Sequence, residues 1–195
     1  PIMKNAHEKL SKRNGDASFQ DLVAKGYIRE AIVNYIALLG WNPGDNREKM
    51  SMEEMIDAFS LGGLHKAPSI FDEPKLRWLS GEYVRAMSAE QFAEAALPFL
   101  KASKAYGKFD TAALLRIVQP RVEILSEIPE KLDFLAGFSK IDEALYFNKK
   151  MKSDADVARQ VLPAAEGVLR RLPSFANADI YAALVALAEE RGMKK

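Results

Sequence analysis

Two lysines flank a serine near the start of the chain, in Lys9-Leu10-Ser11-Lys12-Arg13-Asn14-Gly15-Asp16-Ala17-Ser18. Ammonium groups on a short polar segment broken by glycine can close over phosphate oxygens. With the Ser11 hydroxyl as a further donor, they would stabilise negative charge that develops on a leaving phosphate group. Lys12 is the first choice for that role, with Lys9 and Ser11 assisting; the same residues also fit a solvated basic turn. A hydrolytic Ser11–Lys12 pair is discounted, because adjacent loop residues rarely orient toward each other and no oxyanion donors accompany them. Metal chemistry finds no donor set: the 195 residues contain no cysteine, and the two histidines, His7 and His65, share no ligand spacing.

Further cations are spread along the chain. Lys101, Lys104 and Lys108 recur at spacings of three and four, and Lys149, Lys150 and Lys152 and then Arg170 and Arg171 follow. Such groups can neutralise phosphates and fix the register of a nucleic acid without reading its sequence. They equally suit solvated helix faces, as do Arg77 and Arg85. Overall charge does not decide between these readings, since 28 basic residues face 27 acidic ones.

The elements that must carry these residues read as helix after helix. Ser18 and Asp21, Ser51 and Glu54, and Ser88 and Gln91 have capping-box spacing. Asp72, Asp110, Asp154 or Asp156, and Asn177 are expected to cap further helices. From Ile28 to Leu39 the residues Ile28, Ala31, Ile32, Tyr35, Leu38 and Leu39 make one buried stripe, with Gly40 as its C-terminal stop. Met55, Ile56 and Phe59 are expected to face a core, as are Phe71, Leu76, Trp78, Leu79 and Tyr83, and Phe92, Ala96 and Leu100. Pro98 should kink or split its helix, and the helix after Asp110 should pause at Pro120 and resume through Leu125. Shorter segments follow from Lys131 to Phe138 and Ile141 to Phe147. Strand-like alternation is nearly absent, so the predicted fold is all-α, a bundle of about nine or ten helices. With 48% hydrophobic residues, no apolar run near ~20 residues and no signal-type start, the sequence reads as soluble and cytoplasmic.

The Lys9-to-Arg13 segment resembles the signature loop of class I aminoacyl-tRNA synthetases, Lys-Met-Ser-Lys-Ser, in the form Lys-Leu-Ser-Lys-Arg common in the bacterial glutamyl branch. The resemblance continues through Gly26-Tyr27-Ile28-Arg29-Glu30-Ala31, Ser51-Met52-Glu53-Glu54-Met55, Pro68-Ser69-Ile70-Phe71-Asp72 and Lys75-Leu76-Arg77-Trp78-Leu79. It implies an enzyme that activates glutamate with ATP and Mg2+ and transfers it to tRNA(Glu), with Lys12, Lys9 and Ser11 at the ATP phosphates. Gln119-Pro120-Arg121-Val122-Glu123 is similar to the segment that approaches the anticodon, which implies base contact by Arg121, with Arg116 a weaker candidate. Lys101, Lys104, Lys108 and Arg85 would then touch the tRNA backbone.

The resemblance divides the chain into residues 1–20, a remnant of the catalytic domain; 21–100, a helical connector; and 101–195, the first anticodon-binding subdomain. The family's His-x-Gly-His sequence has no counterpart here. The chain is therefore expected to be part of a longer ligase and to form no adenylate alone. A free-standing helical adaptor that binds tRNA or protein is the alternative.

Overall fold

The computed structural model describes residues 2–11, 18–137 and 142–193, which fall into two compact units, Pro1–Gly137 and Phe138–Lys195. Among the described residues there are nine α-helices and one small sheet. In the first unit they are β1 (Ile2–Met3), α1 (Phe19–Ala24), α2 (Arg29–Gly40), α3 (Met52–Ala58), β2 (Ser69–Ile70), α4 (Glu73–Ala86), α5 (Ala89–Leu100), α6 (Thr111–Val118) and α7 (Ile128–Leu132).

All three capping boxes form, at Ser18, Ser51 and Ser88, and the side chains of Asp72 and Asp110 accept from backbone N–H groups in the first turns of α4 and α6. Each satisfies a donor that the helix itself leaves unpaired. The inward stripes then meet. Ala31, Ile32 and Tyr35 of α2 pack with Leu76, Leu79 and Val84 of α4, with Phe92, Ala96 and Leu100 of α5, and with Leu114, Val118, Ile128 and Leu132 of α6 and α7. A smaller cluster of Trp41, Met50 and Met55 seats α3 beside α2.

Several expectations change. Gly40 is the last residue of α2 rather than its stop, and α5 runs through Pro98 unbroken. Ile56 is 66% exposed and Trp78 41%, each on the outer side of its helix while Met55, Leu76 and Leu79 take the inner one, and Phe59, just past α3, is 54% exposed with one side of its ring against Trp41 at 5.9 Å. Helix α6 does not resume after Pro120. A 3-10 turn at Gln119–Arg121 gives way to extended backbone at Val122 and Ile124, and another 3-10 turn covers Leu125–Glu127. Val122 and Ile124 are buried with Glu123 between them half-exposed, so the apolar spacing here has period two, not 3.6. The short segments expected beyond Lys131 are 3-10 turns, Asp133–Ala136 and Glu143–Tyr146; Phe138 and Ile141 lie outside the described residues.

The second unit holds α8 (Ala155–Leu169), capped by Asp154, and α9 (Asn177–Glu190), packed on each other. Asn177 is the first residue of α9, with Ala176 at the cap position and no side-chain cap bond. No helix of the described residues is long and apolar enough to cross a membrane.

Candidate nucleic-acid interface

Lys9 and Ser11 stand at the end of a short hairpin whose shape is set locally. The Asn5 carboxamide oxygen accepts from the N–H groups of His7 at 2.9 Å and Glu8 at 3.0 Å, closing a tight turn. The N–H of Lys4 bonds to the Glu8 carbonyl at 2.8 Å and that of Leu10 to the Ile2 carbonyl at 3.1 Å, so Lys9 lies opposite Met3. This hairpin is anchored on its other edge, where β1 pairs with β2 in parallel and the Phe71 N–H donates to the Met3 carbonyl at 2.8 Å. Strand β2 is tied in turn to the core. The Ser69 hydroxyl donates to the Leu39 carbonyl, the Asp72 N–H donates to the Tyr35 hydroxyl at 2.5 Å, and the Phe71 ring meets Tyr35 edge-on at 5.4 Å. Lys9 is exposed and Ser11 half-buried; Lys12 and Arg13 lie outside the described residues.

Helix α4 continues from this anchor to the segment that carries Arg121. The Arg77 guanidinium donates from Nε to Glu123 at 3.2 Å and from a terminal nitrogen to Glu127, whose other oxygen accepts from the Glu123 N–H at 2.8 Å. Burial works to raise the Glu127 pKa. The Glu123 N–H and the Arg77 guanidinium outweigh it, and the carboxyl is held below its ordinary value. Arg77 is held charged by Glu127 first and Glu123 after it. One turn before, Tyr27 donates to Glu73 at 3.1 Å, and burial together with that neighbouring carboxylate pushes its phenol up to about 12.

Backbone contacts fix the same segment. Gly26 adopts φ +89° between α1 and α2, and its carbonyl accepts from the Leu125 N–H at 2.9 Å. A Cβ there would lie 2.8 Å from the Ser126 nitrogen. The Gln119 side chain donates to the carbonyls of Val84 and Met87, both at 3.0 Å, capping the end of α4. The segment 119–127 is thus strapped to the α1–α2 turn and, at two places, to α4.

The predicted contact residues are placed as follows. Arg121 is exposed and donates to the Ile117 carbonyl one turn earlier, while Arg116 is exposed on α6 beside a groove floored by Phe92, Ala93 and Leu115. Arg85, expected to meet solvent or phosphate, pairs with Glu82 at 2.6 Å and covers Gly81. Lys101, Lys104 and Lys108 all point outward from the turn after α5, with Lys104 3.9 Å from Asp133. Arg170 pairs with Glu166 on α8, and Lys149, Lys150 and Lys152 form the exposed tip of a tight turn in the second unit. Among the described residues no group of three metal-ligating side chains converges.

Sequence reasoning undervalued Arg77, read as a solvated helix charge, and did not mark Gln119 or Tyr27 for any structural role. The spacing of Glu123 and Glu127 was the available signal, since residues four apart can present two carboxylates to one guanidinium. Nothing in the sequence pairs them with a residue 46 positions away.

Two family models match successive parts of the chain. The anticodon binding domain family matches residues 91–195, and the catalytic domain family of class I tRNA synthetases (E and Q) matches residues 1–78. The chain is 49% identical over 177 residues to a glutamate–tRNA ligase of Clostridium botulinum, covering 91% of this chain and 36% of that protein. It is 44% identical over 194 residues to a glutamate–tRNA ligase of Clostridium tetani, covering 100% of this chain and 40% of the other. A crystal structure of a glutamate tRNA ligase from Elizabethkingia meningosepticum, in complex with its amino acid, superposes with a TM-score of 0.73 at 27% identity, over 99% of this chain and 41% of that one. The chain therefore spans about two fifths of the length of the relatives it matches.

Proposed function

We propose a function from one premise: the chain belongs to the anticodon-binding-domain family and carries, ahead of that domain, a stretch of the class I (E and Q) tRNA synthetase catalytic-domain family. On that premise it is the tRNA-positioning part of a cytoplasmic glutamate–tRNA ligase, the enzyme that activates glutamate with ATP and transfers it to tRNA(Glu). Residues 1–20 are the end of the catalytic domain, 21–100 the connector, and 101–195 the first anticodon-binding subdomain.

The observation that carries the reading is the unbroken framework from the Lys9 hairpin, through β2 and α4, to the strap that holds Arg121. A framework of that kind keeps a phosphate-gripping loop and a base-contacting arginine in one register. In this reading Lys12, with Lys9 and Ser11, grips the ATP phosphates, and Mg2+ accompanies the nucleotide. Two ammonium groups and a hydroxyl suit phosphate oxygens, because positive charge there favours the state in which negative charge has moved onto the leaving group. Arg121 exchanges its bond to the Ile117 carbonyl for an unstacked anticodon base, to which a planar guanidinium donates two hydrogen bonds.

Filter binding tests the reading. The chain should retain a tRNA(Glu) transcript and lose about 1–3 kcal/mol of affinity when the base facing Arg121 is changed. It should catalyse no ATP–pyrophosphate exchange by itself. Exchange catalysed by this chain would overturn the division of labour, and affinity indifferent to the anticodon would leave the free-standing adaptor as the better account.

A further inference from the structure

The turn that joins α5 to α6 is built in two layers. Its inner layer is fixed: Ser103 and Ala105 are buried, the Ser103 hydroxyl donates to Asp133 at 2.9 Å, and the Lys104 N–H donates to the same carboxylate oxygen at 2.8 Å. Backbone bonds from Ser103 to Leu100, Tyr106 to Ser103 and Lys108 to Ala105 complete it, and Gly107 at φ +75° lets the chain reverse. The outer layer has a single chemistry. From Lys101 to Phe109 every outward side chain larger than a methyl group is either a cation (Lys101, Lys104, Lys108) or an aromatic ring (Tyr106, Phe109).

Two carboxylates flank this turn, and each is bonded to backbone; Asp133 also pairs loosely with Lys104 at 3.9 Å, which leaves Lys101 and Lys108 as the turn's other cations. Asp133 is turned inward to hold the turn, and Asp110 caps α6 by accepting from the Ala113 N–H at 2.8 Å. Tyr106 and Phe109 are 39% and 46% exposed, on a backbone already ordered, so a partner would meet them without folding the turn first.

We infer that this turn is a stacking platform for an unpaired RNA strand, with bases on Tyr106 and Phe109 and the phosphates between them neutralised by Lys101, Lys104 and Lys108. Alternating rings and cations are what a single strand requires, since each base offers a face to stack and each link offers a charge. An acidic peptide would answer the lysines and leave the rings unused. Gln119 bonds the end of α6 to the end of α4, two residues before α5 begins, so this turn lies at the opposite end of α5 from Arg121, about 18 Å away by the rise of α5. It is a second grip on the RNA, separate from the anticodon contact. The inference rests on the tRNA-binding reading above.

The test titrates the chain with a fluorescent tRNA(Glu) transcript and with an unstructured 12-nucleotide oligouridine, across a range of salt. Tyr106→Ala and Phe109→Ala should each weaken binding roughly 5- to 150-fold with an unchanged salt slope. Tyr106→Phe and Phe109→Tyr should restore it, and each of Lys101→Ala, Lys104→Ala and Lys108→Ala should lower the slope by about 1. Circular dichroism and thermal melting of each variant check that the helical unit still folds. If the wild type binds neither RNA, both this inference and the tRNA-binding reading fail. If it binds while both alanine variants bind equally well, or if those variants change only self-association measured by light scattering, this inference alone is overturned.

Discussion

Replacing Arg77 with Met removes the guanidinium and keeps most of the aliphatic stem, so it isolates the electrostatic tie between α4 and the 119–127 strap. Glu127 has an 18% exposed side chain and Arg77 a 34% exposed one, midway between a surface pair and a buried pair. Exposed pairs contribute about 0–1 kcal/mol, whereas losing one partner of a fully buried pair costs about 3–5. The loss of both charge-assisted hydrogen bonds here should therefore cost about 2 kcal/mol, a fall in melting temperature of about 4–8 °C for a chain of this size. Urea unfolding followed by tryptophan fluorescence is the suitable assay. Both tryptophans, Trp41 and Trp78, belong to the first unit, so the signal reports the unit in which the pair sits.

The pH dependence gives an independent reading. The folded pKa of Glu127 is depressed below the ordinary carboxylate value of 4.5, so its stabilisation is complete above that value. It is lost as pH falls through the lower folded pKa. Glu127→Gln should remove that part of the acid sensitivity, and a double cycle of Arg77→Met with Glu127→Gln should show coupling of about 1–2 kcal/mol at pH 7. A loss below about 0.5 kcal/mol in Arg77→Met, with no coupling, would refute the claim that this pair holds the strap.

Three other outcomes are expected. Gly26→Ala should lower stability by about 1–3 kcal/mol in the same urea assay, because φ +89° and a Cβ 2.8 Å from the Ser126 nitrogen both penalise a side chain; wild-type stability would mean that the α1–α2 turn relaxes freely. Phe92→Ala should cost about 3–5 kcal/mol, since the ring is buried to 1% exposure at the centre of the first unit, and calorimetry would show it. In the complete ligase, Lys12→Ala should slow ATP–pyrophosphate exchange by about 10²–10³-fold with tRNA affinity unchanged, the scale of losing one transition-state donor; exchange at the normal rate would remove Lys12 from the chemistry.

The local elements were legible because their causes are local. Ser18, Ser51, Ser88, Asp72 and Asp110 each cap a helix through a bond spanning three residues, and that spacing is visible in any window of four. The inward stripes of α2, α4 and α5 follow from their 3.6-residue period, and Lys9, Ser11 and Lys12 stood out because phosphate chemistry asks for those residue types side by side. Errors arose where a pattern had two readings. Val122, Glu123 and Ile124 fit a helix or an extended strap, and Asn177 fits a cap or a first turn; neighbours distant in sequence chose.

By itself, then, the order of residues determined which stretches coil and which faces are apolar, since each of those depends on a handful of adjacent side chains. Tertiary structure alone decided that Arg77 serves Glu123 and Glu127 rather than solvent, that Gly26 must stay small beneath Ser126, and that Asp133 holds the turn on which Tyr106, Phe109 and three lysines are exposed. Those outcomes depend on distances between segments 30 to 100 residues apart, which are set only when the helices pack and exclude water between them.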